Sequence, residues 1–406
     1  MRIGMILATP FPPDIRVEKE AKALINAGFE VGVLAEATAK DSTPCETTAY
    51  GLQIWRAAVP PASLWERNIK GLTLVEKRWQ QPMQEFVAGF RPNILHVHDF
   101  PFVKMALSAA QPLGLPVVAD LHENMPAAYR IWRTGLDPIH RLKDGLLRSY
   151  QLWRWYEKHL LPRCAHILVV VPEAAERLYD YGLPQAKVTV VSNTEDETTF
   201  TVGKVDATIL DRYRDRWMVC YLGGIGPERG IDTTLAAVPF IARQIPNFCL
   251  AVIGVRSERH FDSLVQSTRQ LGAQDNVDII RWQPFDTARS YIAASAACLV
   301  PHNDSEHTQT TIPHKLFQYM ISGKPVIVSD VRPLQRIVAE TQAGLIFKAN
   351  DPHSLAEALI TLHNTPGLAE RLGENGRRAA TGPYAWRHDA QRLVEVYRSL
   401  DKGAAR

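Results

Sequence analysis

The chain has 406 residues, with 46 Lys and Arg against 43 Asp and Glu, a formal net charge of +3. That balance is too weak to argue for a nucleic-acid partner. The length exceeds what one core fills, because domains commonly run about 100–200 residues. Hydrophobic content of 46% and charged content of 22% are ordinary for a soluble globular protein, and no run reaches the roughly 18 apolar residues of a membrane-spanning helix.

The five cysteines, Cys45, Cys164, Cys220, Cys249 and Cys298, lie far apart. No CxxC occurs and no Cys/His spacing suits zinc, so buried reduced thiols in a cytosolic protein are expected. The opening MRIGMILATPFPP has too short an apolar run, and no small-residue cleavage site, for a signal peptide. It reads as the first strand of a parallel sheet.

Short β-rich runs then alternate with helical patterns. Strands are predicted at Arg2–Ala8, Glu30–Leu34, Leu52–Trp55, Ile94–Val97, Val117–Leu121, Ile167–Val171 and Val188–Val191. A second series follows at Met218–Gly223, Phe248–Ile253, Val277–Trp282, Ala297–Val300, Val326–Ser329 and Gly344–Phe347. Strand and helix in alternation mean a parallel sheet covered on both faces, and two series mean two doubly wound α/β domains. The seam falls near Glu195–Asp211, which is polar and lacks strand character. Residues 1–197 are expected to form one domain and 198–384 the other. Glu195 and Glu197 are read as linker acids without chemistry. The final helical stretch, Pro383–Leu400, places Trp386, Leu393, Val396, Tyr397 and Leu400 at helical spacing.

Between the fifth and sixth strands of the first series, Tyr129–Arg163 carries eight basic against three acidic side chains, interleaved with Trp132, Tyr150, Trp153, Trp155 and Tyr156. A basic, aromatic amphipathic helix reads as a peripheral membrane element. Aromatics packed on the first domain beside a wet basic face are the alternative.

In the second series, Gly223-Gly224-Ile225-Gly226-Pro227 follows the first strand and leads to Arg229. Glycines let backbone N–H groups approach an anion, and arginine adds a forked, charge-assisted contact to phosphate. Farther on, Pro313 opens and Gly323 closes a short helix ahead of the strand Val326–Ser329. The N–H groups of its first turn, with Thr310, Thr311, Lys315 and Leu316 at that end, form an expected phosphate site.

The segment PHKLFQYMISGKPVIVSD (Pro313–Asp330) resembles the donor-binding helix of the retaining glycosyltransferases of family 4, whose fold is called GT-B. The resemblance extends through FPPDIRVEKEAKALINAGFEV, ILHVHD, GLPVVADLHENMP and YLGGIGPERGIDTTLAA, in order and over nearly the whole chain. It implies two Rossmann-like domains facing a central cleft, with the last helix (385–406) crossing back onto the acceptor-side N-terminal domain. A helix packed on the second domain is the alternative.

The family usually carries two glutamates eight positions apart, and their places here hold Thr310 and Gln318. Gln318 matches the residue that grips the nucleotide ribose. Asp304 and Glu306 are nearby acids that could stand in for the glutamate missing at Thr310. His122 matches a histidine that faces the donor sugar, with Glu123 as a weaker neighbour. The family often has a second basic residue where this chain has Gly224. Nucleobase recognition is expected from the backbone around Arg281–Gln283, including Trp282. Where the family often has glycines in the first loop, this chain has Pro12 and Pro13, which remove N–H donors. Asp14 and Arg16 there are acceptor-side candidates, with a salt bridge as the other reading for Arg16.

The implied activity is sugar transfer, with retention, from a UDP- or GDP-sugar to a glycan, lipid-linked or small-molecule acceptor. No metal or other cofactor is expected, and no nucleic acid. Catalytic roles fall to His122, Arg229 and Lys315, in a cytoplasmic protein. Epimerases and phosphorylases of the same fold, and a non-catalytic nucleotide-sugar binder, are the rivals, since fold alone does not decide chemistry. No pair of acids stands out as a glycosidase couple, and neither GxGxxG after the first strand nor GxxxxGK[ST] occurs.

Overall fold

The structure, a computed structural model, describes residues 1–38, 41, 43–200 and 205–404. Residues 201–204 of the expected linker and 405–406 of the expected terminal segment lie outside the described residues. The chain divides into two units, Met1–Ser192 with Arg387–Arg406, and Asn193–Trp386. Asn193–Glu197, expected to end the first domain, thus fall in the second. The physical reason is local: Asn193 Nδ2 donates to Ile312 O at 2.8 Å, and Gln318 Nε2 donates to Glu195 Oε2 at 2.9 Å.

The first unit holds β1 (Arg2–Pro10), β2 (Glu30–Glu36), β3 (Cys45–Thr47), β4 (Gln53–Ala57), β5 (Ile94–His98), β6 (Val117–Leu121), β7 (His166–Val169) and β8 (Val188–Val190). They form an eight-stranded sheet in the order β3-β4-β2-β1-β5-β6-β7-β8. Every pairing is parallel except β3 with β4. The edge strand β3 was not expected, being three exposed residues with no apolar pattern, and it leaves Cys45 exposed where a buried thiol was predicted. The other four cysteines are buried, and all five are free.

The second unit holds β9 (Trp217–Leu222), β10 (Phe248–Val255), β11 (Val277–Arg281), β12 (Ala297–Val300), β13 (Val326–Ser329) and β14 (Gly344–Phe347). Its sheet is wholly parallel, in the order β11-β10-β9-β12-β13-β14. All eight residues of β10 are buried, as a strand covered on both faces requires.

Each sheet has a switch point, between β1 and β5 in the first and between β9 and β12 in the second. The chain leaves those neighbours in opposite directions there, and ligands bind beyond the carboxyl ends of such strands. In the first unit the helix Ile15–Asn26 follows β1. Asp14 caps it, accepting from the N–H groups of Arg16 and Val17 at 3.0 and 3.1 Å. Val17, Ala21 and Leu24 bury one face, and Arg16 and Glu20 are buried with them.

The terminal helix Trp386–Ala404 packs on strands of the first unit. Its Tyr397 hydroxyl lies 2.5 Å from His96 Nδ1, its Arg392 donates to Val190 O, and its Asp389 accepts from the Ser192 N–H at 2.7 Å. No helix among the described residues is long and apolar enough to cross a membrane.

Candidate functional site

Chemistry-bearing side chains gather at the switch point of the second unit. After β9 the chain turns through Gly223 to Arg229 and enters the helix Ile231–Ala242. Gly230 is required at that entry. Its φ is +67°, and a Cβ there would lie 1.7 Å from Pro301 O, on the loop that follows β12. The close approach pins the two loops together. Arg229 pairs with Glu228 at 2.8 Å, and its Nη1 lies 3.1 Å from His302 Nε2. Arginine can only donate, so His302 Nε2 accepts and the ring proton sits on Nδ1. That Nδ1 is buried and has no partner among the described residues. Burial, with Arg229 and Lys315 adding repulsion, holds the His302 imidazole well below its ordinary pKa, so it is neutral. Burial likewise lowers His307 to about 4.

Lys315 lies in the first turn of the helix His314–Ile321. Its Nζ stands 3.8 Å over the Tyr221 ring, and a Cβ on Gly223 would come within 2.8 Å of it. No carboxylate pairs with it among the described residues. Burial and then Arg229 push its pKa well below the usual lysine value. A buried amine whose charged form is disfavoured beside a guanidinium, with a buried imidazole N–H left over, is an arrangement that an anion would relieve.

The remaining donor-side candidates divide. Gln318 is buried and donates to the equally buried Glu195. Because the carboxylate takes the amide N–H, the Gln318 carbonyl is the end left to accept. Glu195, read from sequence as a linker acid, is therefore part of this cluster. Thr310 donates its hydroxyl to Glu306 O at 3.0 Å, and Thr311 is buried. The Leu316 side chain is fully buried and its N–H donates to Pro313 O at 3.3 Å, which uses the group expected to face a phosphate. Asp304 accepts from Gln309 Nε2 on the surface. Trp282 is half-exposed under Arg256, and its backbone N–H donates to Val255 O at 3.0 Å, so that donor is spent on the sheet rather than on a base. Gly224 is exposed, and a Cβ there would meet nothing within 4 Å.

In the first unit, His122 follows β6. Its Nε2 lies 2.7 Å from Asp120 and its Nδ1 3.6 Å from Asp99. Burial alone would lower its pKa, but Asp99 and Asp120 outweigh burial and raise it to about 10, so His122 is an imidazolium at neutral pH. Asp120 is the hub. Arg16 forks onto it at 2.9 and 2.7 Å and also reaches Val191 O. Burial would raise the Asp120 carboxyl, but Arg16 and His122 hold it well below the usual range. His98 lies 3.2 Å from Asp120, and burial drops its pKa to about 3. Arg16, an acceptor-side candidate from sequence, is buried in this ion pair and cannot reach a substrate. Asp14 is spent as the helix cap. Glu123 stands half-buried beside His122.

Glu20, His96, His98 and Asp120 offer donor atoms within 4.8 Å of one another. Arg16 already lies 3.0 Å from Glu20 and 2.7 Å from Asp120. A metal ion would be set against a fixed guanidinium, so these four residues do not fit one.

Two doubly wound parallel-sheet units in one chain are the GT-B class of α/β proteins. Solved structures agree on the fold. Sucrose-phosphate synthase of Thermosynechococcus elongatus matches with a TM-score of 0.81 at 19% identity, covering 99% of each chain. HepE of Anabaena, solved with UDP-glucose, matches at 0.71 and 13% identity, covering 98% of this chain and 100% of that one. Residues 13–194 match the family model described as glycosyl transferase 4-like domain, and residues 206–379 that of glycosyl transferases group 1. The phosphatidyl-myo-inositol mannosyltransferase of Mycolicibacterium smegmatis is 24% identical over 414 residues, covering 98% of this chain and 94% of that protein. This chain belongs to the family 4 glycosyltransferases.

Proposed function

We propose that the protein transfers a sugar from a UDP- or GDP-sugar, with retention and without a metal, to a glycan, lipid-linked or small-molecule acceptor in the cytoplasm. The observation that carries this reading is Lys315, without a carboxylate partner among the described residues, beside Arg229 at the switch point of the second unit. The leaving diphosphate accepts Arg229 and Lys315, with Thr311 and the start of the helix His314–Ile321 at the same end. The Gln318 carbonyl, fixed by Glu195, accepts a ribose hydroxyl. His122 donates a hydrogen bond to a sugar hydroxyl while Asp120 holds its orientation. The acceptor hydroxyl attacks the anomeric carbon on the face from which the diphosphate departs, the bond from that carbon to the phosphate oxygen breaking and the hydroxyl proton passing to the departing phosphate. Binding of UDP-glucose by HepE supports a nucleotide-sugar donor.

A thermal-shift panel of UDP-, GDP-, ADP- and TDP-sugars identifies the donor. With that donor, nucleoside diphosphate is released only when an acceptor is present. Release at the same rate without any acceptor contradicts transfer.

A further inference from the structure

The first unit carries an apolar surface that its fold does not use. The helices Leu64–Thr73 and Pro138–Leu147 pack against each other. Leu64, Trp65, Ile139, Leu142 and Leu146 are each between 68% and 79% exposed. In the second helix, spacings of three and four put Ile139, Leu142 and Leu146 on one stripe, and no residue of that helix is buried. A helix in a globular unit normally buries its apolar stripe, so this one is unpartnered.

The aromatic residues of the same basic segment behave in the opposite way. Trp153 is buried and donates its Nε1–H to Gly71 O at 2.9 Å, and the Tyr156 hydroxyl donates to Leu72 O at 2.9 Å. They clamp the helix Tyr150–Leu160 onto the helix Leu64–Thr73. Of the two alternatives for this segment, the packed helix describes Tyr150–Leu160. The exposed apolar stripe lies on Pro138–Leu147, with Leu64 and Trp65 as neighbours that the sequence did not single out.

Charge selects the occupant. Arg67 and Lys143 are exposed on the two helices, Lys143 within about half a quadrant of the stripe at 100° per residue, while Arg141 spends its Nη2 on Thr134 O and Leu136 O. Of the nearby acids, Asp144 is spent on Arg148, Glu66 on the capping box with Ser63, and Asp137 on His140 and the cap of its own helix. We propose that this face docks the protein onto a bilayer containing anionic lipid, the aliphatic stripe and Trp65 entering the headgroup region while the basic side chains meet lipid phosphates. The inference goes beyond the transferase reading and stands on the surface alone.

The test is flotation of the full chain with phosphatidylcholine vesicles, with and without phosphatidylglycerol, in low and high salt. The wild type floats with phosphatidylglycerol vesicles, and salt weakens the association. The double variant Leu142→Glu/Leu146→Glu, altered only at exposed positions, partitions at least about tenfold more weakly while UDP and GDP affinities stay unchanged. Three results overturn the proposal: a wild type that stays unbound, a variant that floats equally well, or a wild-type dimer in sedimentation velocity that the variant dissolves, which makes the face a contact between copies. Loss of nucleotide binding in the wild type with flotation intact defeats the transferase reading and leaves the docking face standing.

Discussion

Two charged clusters, one in each unit, follow opposite rules. In the first, Arg16 is matched by Asp120 and Glu20, and His122 by Asp120 and Asp99. Each of these two cations has its counter-charge, so the pairing fixes the side chains that carry it. In the second, Arg229 has Glu228, but Lys315 has no carboxylate among the described residues, and the neighbouring His302 is held neutral. A charge-matched cluster holds its own groups in place, whereas one short of negative charge is what an anion would relieve.

The largest effect comes from breaking the satisfied cluster. Asp120→Asn leaves Arg16 buried with a weaker set of partners, and removing one member of a buried pair costs about 3–5 kcal/mol. Urea unfolding reads this as a lowered midpoint, and a loss under about 1 kcal/mol contradicts the pairing. The same variant sharpens the pH prediction. The folded pKa of His122 is raised to about 10. Its contribution to stability is therefore fully present below the ordinary histidine value of about 6.5 and is lost as pH rises through 10. Nitrogen shifts of the His122 ring report imidazolium at pH 8 in the wild type, and Asp120→Asn moves the titration toward neutrality.

A smaller effect tests the Gln318–Glu195 pair. Gln318→Glu sets two buried carboxylates against each other and lowers stability by about 1–3 kcal/mol. Adding Glu195→Gln reverses the polarity and restores most of the loss, as thermal melting will show. A single variant as stable as the wild type removes Glu195 from the cluster. The smallest change adds charge to the receptive cluster. Gly224 has open space for a side chain, so Gly224→Lys tightens UDP or GDP binding by up to about 1 kcal/mol at low salt, and unchanged or weaker binding in calorimetry counts against the location of the phosphates.

What could be read in the sequence follows from how local each signal is. Strands such as β6 and β10 announce themselves because both faces are buried and the run is continuously apolar. The edge strand β3, with three exposed residues, has no such pattern. The placing of Lys315 and Arg229 at the ends of their loops was legible because a proline-opened helix and a glycine turn mark those loops. Glu195 was not, because its buried partner Gln318 lies 123 residues away, while its own neighbours are polar. Arg16 showed its charge, but its partner Asp120 lies 104 residues along the chain, so its removal from the substrate side had no local sign. His96 and His98 alternate within the apolar run of β5, and that placement of imidazoles in a buried strand was the available clue to the cluster around Asp120.

The central claim is that a nucleoside diphosphate is held by Arg229 and Lys315. Titration calorimetry of UDP and GDP against the wild type, Arg229→Ala and Lys315→Ala tests it most directly. The account predicts binding of one nucleotide that Arg229→Ala weakens by about 1.5–3 kcal/mol, the range for hydrogen bonds to charged groups, with a loss of similar size in Lys315→Ala. Affinity for both nucleotides that neither variant alters would contradict it.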